Sequence, residues 1–307
     1  MIFFLGDDHI IVNYHYVEDP RFDFSGIVPC GVKEFERQIS FLASHYCFGS
    51  VPEVFAAAQK GHTKKLCAIT FDDGLKDQYL NAVSILKKYK AIATLFIITG
   101  TLEGRVPLAH AIHIAASRIP MSMIREKFNG FLQKEFAHLA RNFFIPADGR
   151  LTEKWHRDDT ITANVKYTLT VAPKELSSTF LNSLLVELAI NERELAQELF
   201  MNVKEIQTLA HDQFFIESHT HNHSALDTLD EEAQRKDFHA ADSIFKNLLG
   251  RSPEVIAYPY GRVPKTNVVL GEYGLRYGVT VESRAVEKGD AMLRIPRFDT
   301  NDIKRWL

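Results

Sequence analysis

The sequence predicts an α/β fold in which parallel strands carry helices on their outer side, as a doubly wound sheet or as a barrel. Short apolar runs rich in β-branched and aromatic residues recur at residues 10–14, 66–71, 93–99, 214–217, 255–258 and 277–281. Stripes with the 3.6-residue helical period lie between several of them. This alternation marks parallel strands, because each parallel crossover needs a covering element.

Taken in order, the first strand (10–14) runs into Asn13-Tyr14-His15-Tyr16, and Phe35, Ile39, Leu42 and Tyr46 form the first helical stripe. The strand at 66–71 precedes a second stripe, Tyr79, Ala82, Val83 and Leu86. After the strand at 93–99 the rhythm breaks. Residues 101–210 hold little strand signal, are punctuated by Pro120, Asn129-Gly130, Pro146 and Asp148-Gly149, and contain a leucine-striped helix predicted over 181–200. This stretch reads as a helical insertion within a single domain spanning residues 1–307. It is expected to cover or border the active rim, since long insertions often act as lids. A dimerisation element using the leucines as its contact face is the alternative. Strand 214–217, the stripe Phe238, Ala241, Phe245 and Leu248, and strands 255–258 and 277–281 complete the core.

Of the 307 residues, 46% are hydrophobic and 24% charged, an ordinary globular balance. With 36 basic and 39 acidic residues the net charge is −3, so no basic excess points to nucleic acid. Cys30, Cys47 and Cys67 are scattered and odd in number, the usage of reduced cytosolic thiols. The apolar start Met1–Leu5 is too short for a signal segment, and no apolar run is long enough to span a bilayer. A cytoplasmic protein is expected. Its oligomeric state is not legible.

Three constellations carry chemistry. Thr70-Phe71-Asp72-Asp73-Gly74 follows a strand. Adjacent carboxylates resist joint ionisation unless a cation compensates them, and a divalent metal with one Asp as ligand and the other as base is one solution. An Asp-Asp-Gly turn is the bland one. Ser218-His219-Thr220-His221-Asn222-His223 follows another strand. Imidazoles suit zinc, and a carboxylate from elsewhere would complete a three-ligand catalytic site. A helical turn would put His219 and His223 on one face and His221 away from it. Ala257-Tyr258-Pro259-Tyr260-Gly261-Arg262 is a rigid turn that can aim a backbone N–H at an oxyanion. In a parallel barrel all three strand ends meet on one rim.

With these motifs the sequence resembles the polysaccharide deacetylases, the NodB-homology carbohydrate esterases of family four, over about residues 10–100 and 200–300. The resemblance implies a distorted (β/α) barrel, commonly seven-stranded, and a metal-dependent hydrolase that removes the N-acetyl group of an amino sugar in glycan or envelope polysaccharide biosynthesis. It implies Asp72 as base, and Asp73, His219 and His223 as ligands of one divalent metal, zinc by default with manganese, cobalt or iron as alternatives. It also implies the Tyr260 N–H at the oxyanion, with Tyr258, Pro259 and Gly261 beside the substrate. The metal's Lewis acidity would bring the pKa of water from ~15.7 toward about 7. The Tyr-Pro-Tyr-Gly form resembles members that act on poly-N-acetylglucosamine or in envelope-glycan synthesis. The acceptor is expected to be an N-acetylated sugar, nucleotide-sugar or lipid-linked glycan.

Two family features are replaced. The Arg that opens the third motif and orients the base is Ala257 here, and a Leu-x-His acid is replaced by Leu293-Arg294-Ile295-Pro296-Arg297. Arg294 or Arg297 is expected to hold Asp72 instead, by a bidentate pair. Asp72 is expected to return the proton it takes, with His15 or His221 as alternative donors. Two rival functions remain. An O-deacetylase or an enzyme of formamides or cyclic ureides shares the metal chemistry, and separate assays of acetate and formate release distinguish them. A catalytically silent glycan-binding protein would lack spatial replacements for the orienting Arg and the acid.

Overall fold

The computed structural model describes residues 8–61, 64–153, 155 and 157–307. The chain forms two compact units, one of residues 1–19, 29–104 and 196–307, the other of 20–28 and 105–195.

The first unit is built on β1 (Ile10–Tyr14), β2 (Cys47–Phe48), β3 (Leu66–Phe71), β4 (Ala93–Ile97), β5 (Phe215–Ser218), β6 (Val255–Ala257), β7 (Tyr277–Val279) and β8 (Phe298–Asp299). Seven strands run in the order β7-β6-β5-β4-β3-β1-β8, β2 adds to β3, and every strand pairing is parallel. The segment before β8 draws the two ends of the sheet together. Ile295 bridges Val279 of β7, and three residues later Phe298 pairs with Val12 of β1. The sheet is thus a curled, distorted barrel with a short irregular seam. The two-residue strands β2 and β8 carry too few side chains to show a periodicity, so sequence pattern misses them.

Alternation along the strands sorts the side chains. Ile10, Val12 and Tyr14 pack with the outer helices, including Phe35, Ile39 and Leu42 of the helix Val32–His45. Ile11, Ala68, Phe96, Ala257, Val279 and Ile295, drawn from β1, β3, β4, β6, β7 and the seam, share a second cluster that fills the interior. Two residues further along, the same face turns polar: Ile11 is followed by Asn13, Ala68 by Thr70 and Asp72, Ile295 by Arg297. All four polar residues are buried.

The second unit is helical and has its own core. Leu108–Ala116, Met121–Glu135, Thr160–Val171 and Lys174–Glu187 bury Ile112, Phe128, Leu169 and Phe180 among others. The single helix predicted over 181–200 is two, Lys174–Glu187 and Glu192–Leu199. Left-handed Ala189 (φ 54°) breaks the winding, and Asn191 restarts it by accepting the N–H groups of Arg193 and Glu194. Of the leucine stripe, Leu181, Leu184, Leu185, Leu195 and Leu199 are buried within the chain, and Leu188 is half-buried. Residues 203–211, predicted inside the insertion, form a helix of the first unit packed against β5.

Candidate active site

The end of β3 delivers Asp72 and Asp73. The peptide turns sharply, with Asp73 at φ 76° and Gly74 at φ 69°. Gly74 is required here, because a Cβ would lie 3.0 Å from Ile97 Cγ2 in a conformation that side chains disfavour. Asp73, His219 and His223 come together as buried groups whose donor atoms lie within 4.8 Å of one another. Each imidazole Nε2 is 3.4 Å from Asp73 Oδ1, and the two are 3.2 Å apart.

No helical turn follows β5. Thr220 and His223 are both left-handed, at φ 66° and 53°, which is costly for a β-branched residue such as Thr. The loop is held from three sides. The N–H groups of His219, Thr99 and Gly100 exchange bonds with the ends of β4 and the loop, at 2.9, 3.2 and 2.9 Å. Buried Asp237 accepts from the His221 and Asn222 N–H groups at 2.7 and 3.1 Å. Thr220 Oγ1 accepts the His223 N–H at 3.0 Å. His221 faces Thr99 Oγ1 at 2.9 Å and Glu103 at 3.6 Å, outside the three-residue cluster. Its position and that of Asp237 came from tertiary contacts that local spacing does not encode.

This cluster fits a divalent metal. The Ala257 carbonyl lies 2.7 Å from His219 Nδ1 and accepts its N–H, so the neutral tautomer of His219 presents an Nε2 lone pair on the side of Asp73. Burial disfavours protonation of His219, yet the Asp72 and Asp73 carboxylates outweigh it and raise its pKa. The surroundings therefore favour positive charge, and two imidazoles plus one carboxylate suit zinc with open positions left.

Asp72 has a different environment. Arg297 grips it with two parallel bonds, Nη1 to Oδ1 at 2.8 Å and Nη2 to Oδ2 at 2.9 Å. Arg297 is only 2% exposed. Asn13 Nδ2 adds a bond to Oδ2 at 3.0 Å, and Asn13 Oδ1 accepts from Arg297 Nη1 and Thr70 Oγ1. Burial pushes the Asp72 carboxyl up, but the guanidinium, with His219 behind it, holds the pKa at about 2. Of the two candidate arginines, Arg297 makes this pair because it follows Ile295 on the inward face of the seam. His15 comes next after β1, as Asp72 does after β3, and the Asp72 N–H bonds the Tyr14 carbonyl at 3.0 Å. His15 Nε2 lies 3.8 Å from Asp72 Oδ2, with the side chain 45% exposed. Asn13 is not singled out by the sequence motifs, although a polar residue inside an apolar strand is the signal that marks it.

In the third motif Tyr260 is left-handed (φ 58°) and its ring lies 4.7 Å from that of His223. Gly261 is also left-handed, and a Cβ there would sit 2.3 Å from Val281. Pro259 is buried in the turn. Tyr258 does not offer its side chain to a substrate: it is 0% exposed and its hydroxyl donates to the Leu293 carbonyl at 3.0 Å. It is a core residue whose ring covers Gly278. Asp73, Thr220, His223 and Tyr260 are four of the eight left-handed non-glycine residues found among the described residues, so backbone strain gathers here.

The sequence profile of the polysaccharide deacetylases matches residues 59–119 and 179–278, more than half of the chain. Poly-β-1,6-N-acetyl-D-glucosamine N-deacetylases of Staphylococcus aureus strains MRSA252 and MSSA476 are 26% identical over 282 residues, covering 89% of this chain and 70% of theirs. Among solved structures, the Streptococcus pyogenes deacetylase PplD in complex with acetate superposes with TM-score 0.60 at 17% identity, covering 95% of this chain and 92% of the other. IcaB from Ammonifex degensii gives 0.57 at 17% identity over 98% and 97%. At these identities the structural likeness concerns the fold.

Proposed function

The chain belongs to the polysaccharide deacetylase family, and from that premise we propose that it is a zinc-dependent de-N-acetylase of N-acetylglucosamine-containing glycans. One observation carries the reading: the Asp73, His219 and His223 donors converge beside an Asp72 that Arg297 keeps ionised. The names of the Staphylococcus aureus relatives favour a β-1,6-linked polymer over the nucleotide-sugar or lipid-linked acceptors expected from sequence.

Asp73, His219 and His223 would hold the metal, which supplies Lewis acidity to the acetamide carbonyl and to water. Asp72 takes the proton from the attacking water, its carboxylate aimed by Arg297 and Asn13. The Tyr260 N–H is assigned to the developing oxyanion, on the strained turn beside His223. Expulsion of the amine requires a proton. We assign that donation to His15 instead of Asp72 alone. The Arg297 pair favours the carboxylate form of Asp72, whereas His15 is partly open to solvent, which can recharge it with a proton, and lies 3.8 Å from Asp72. His221, committed to Thr99 and Glu103, is unsuited to the role. We further propose that the helical unit governs which glycan lengths are accepted, which an oligomer-length series on a variant with 105–195 replaced by a short linker would test.

The deciding experiment supplies zinc-loaded protein with β-1,6-linked N-acetylglucosamine oligomers and measures acetate and free amine together. Stoichiometric release of both is expected. Acetate released only from O-acetylated sugars, or formate from formamides, would move the protein to another hydrolase class. Glycan binding with no release would make it a binding protein.

A further inference from the structure

The backbone that carries His15 is held by side chains from one short stretch after β3. Asp77 Oδ2 accepts the Val17 N–H at 2.5 Å, and Asn81 Nδ2 donates to the Val17 carbonyl at 2.8 Å. Gln78 Nε2 donates to the His15 carbonyl at 3.0 Å and to the Asp72 carbonyl at 2.7 Å. A single amide group thus joins the main chains of the two residues assigned to proton transfer. Gln78 is 1% exposed and opens a π-helical turn, Gln78–Ala82, a rare winding found mostly at functional sites. Both of its Nε2 hydrogens are used, while its Oε1 is buried and meets no hydrogen-bond partner among the described residues. An unmet buried acceptor is destabilising, so the amide is kept at a cost that its two donated bonds to the His15 and Asp72 carbonyls offset.

We propose that Gln78 is a positioning residue that sets the separation of His15 and Asp72, with Asp77 and Asn81 fixing the rest of the His15 segment. The His15 ring is 45% exposed, so its aim depends on the main chain that carries it. The proposal rests on His15 being the proton donor.

The test compares Gln78→Met, His15→Ala and the double variant as zinc-loaded proteins, with zinc content and KM measured beside kcat. Gln78→Met should keep its zinc and a KM within about two-fold, and lose about 10-fold in kcat, the scale of a small misplacement of reacting groups. In the His15→Ala background the same change should alter kcat by less than about two-fold. A purely structural role would reduce the folded fraction and leave kcat per zinc-loaded molecule unchanged. Unchanged kcat in Gln78→Met, or equal losses in both backgrounds, would overturn the proposal while leaving an impaired His15→Ala as support for the donor. Full activity in His15→Ala would remove the donor assignment and this proposal with it. Should Gln78→Met not fold, Asn81→Ala should lower kcat about three-fold by loosening the same segment, and an unaltered rate there would overturn the proposal.

Discussion

Asp72 and Asp73 are neighbours in sequence and buried to nearly the same degree, 3% and 4% exposed, yet they occupy opposite surroundings. Asp72 points toward a guanidinium and an amide that arrive from the barrel seam and from β1. Asp73, flipped by its left-handed backbone, points toward two imidazoles from the loop after β5. One sharp turn thus sets two adjacent carboxylates in two electrostatic environments. A fixed organic cation keeps one carboxylate ionised, and the other is left with two imidazoles whose donor set suits a metal ion.

If that division holds, substitutions at the two positions separate. Asp73→Asn and His219→Ala should lose bound zinc and fall to background, more than about 10⁴-fold, because Lewis acidity and water activation go together. Elemental analysis alongside acetate release checks this, and a full zinc equivalent in His219→Ala would remove His219 from the site. Asp72→Asn should retain zinc and lose about 10²–10⁴-fold in turnover, the range of general-base catalysis. Equal zinc loss in Asp72→Asn and Asp73→Asn would collapse the distinction between them.

The next effect is on stability. Arg297→Gln strands a buried carboxylate and should cost about 3–5 kcal/mol, read from urea unfolding of the metal-free protein. The double variant Asp72→Asn/Arg297→Gln should recover part of that loss, and a loss that persists undiminished would show that Arg297 matters for packing only.

The smallest expected effect is the pH dependence of the metal-free protein. The folded pKa of Asp72, about 2, lies below the value of ~3.9 in an unfolded chain. The folded state thus binds fewer protons than the unfolded state across this window. Its contribution is therefore present above about pH 4 and is lost as the pH falls toward 2, on the order of 2 kcal/mol in all. Between about pH 5 and about pH 3, wild-type protein should lose more stability than Asp72→Asn, and parallel curves would contradict the Arg297 pairing.

The α/β class and the convergence of Asp73, His219 and His223 were both legible in the amino-acid sequence. The reason is locality. Apolar runs and helical stripes repeat over a few residues, and Asp73, His219 and His223 sit in short contiguous motifs at strand ends, where a parallel barrel gathers them. Tertiary structure decided what surrounds them. Arg297 meets Asp72 across 225 residues because the barrel closes through Ile295, Arg297 and Phe298. Asn13 and Thr70 join them because β1 and β3 pair in register and expose the same inward face. The loop conformation was equally hidden: nothing in Thr220 favours a left-handed backbone, and only Asp237, Thr99 and Gly100 make it the satisfied arrangement. Buried polar groups take partners wherever the fold brings them, so these contacts follow from closure and register, which local pattern does not specify.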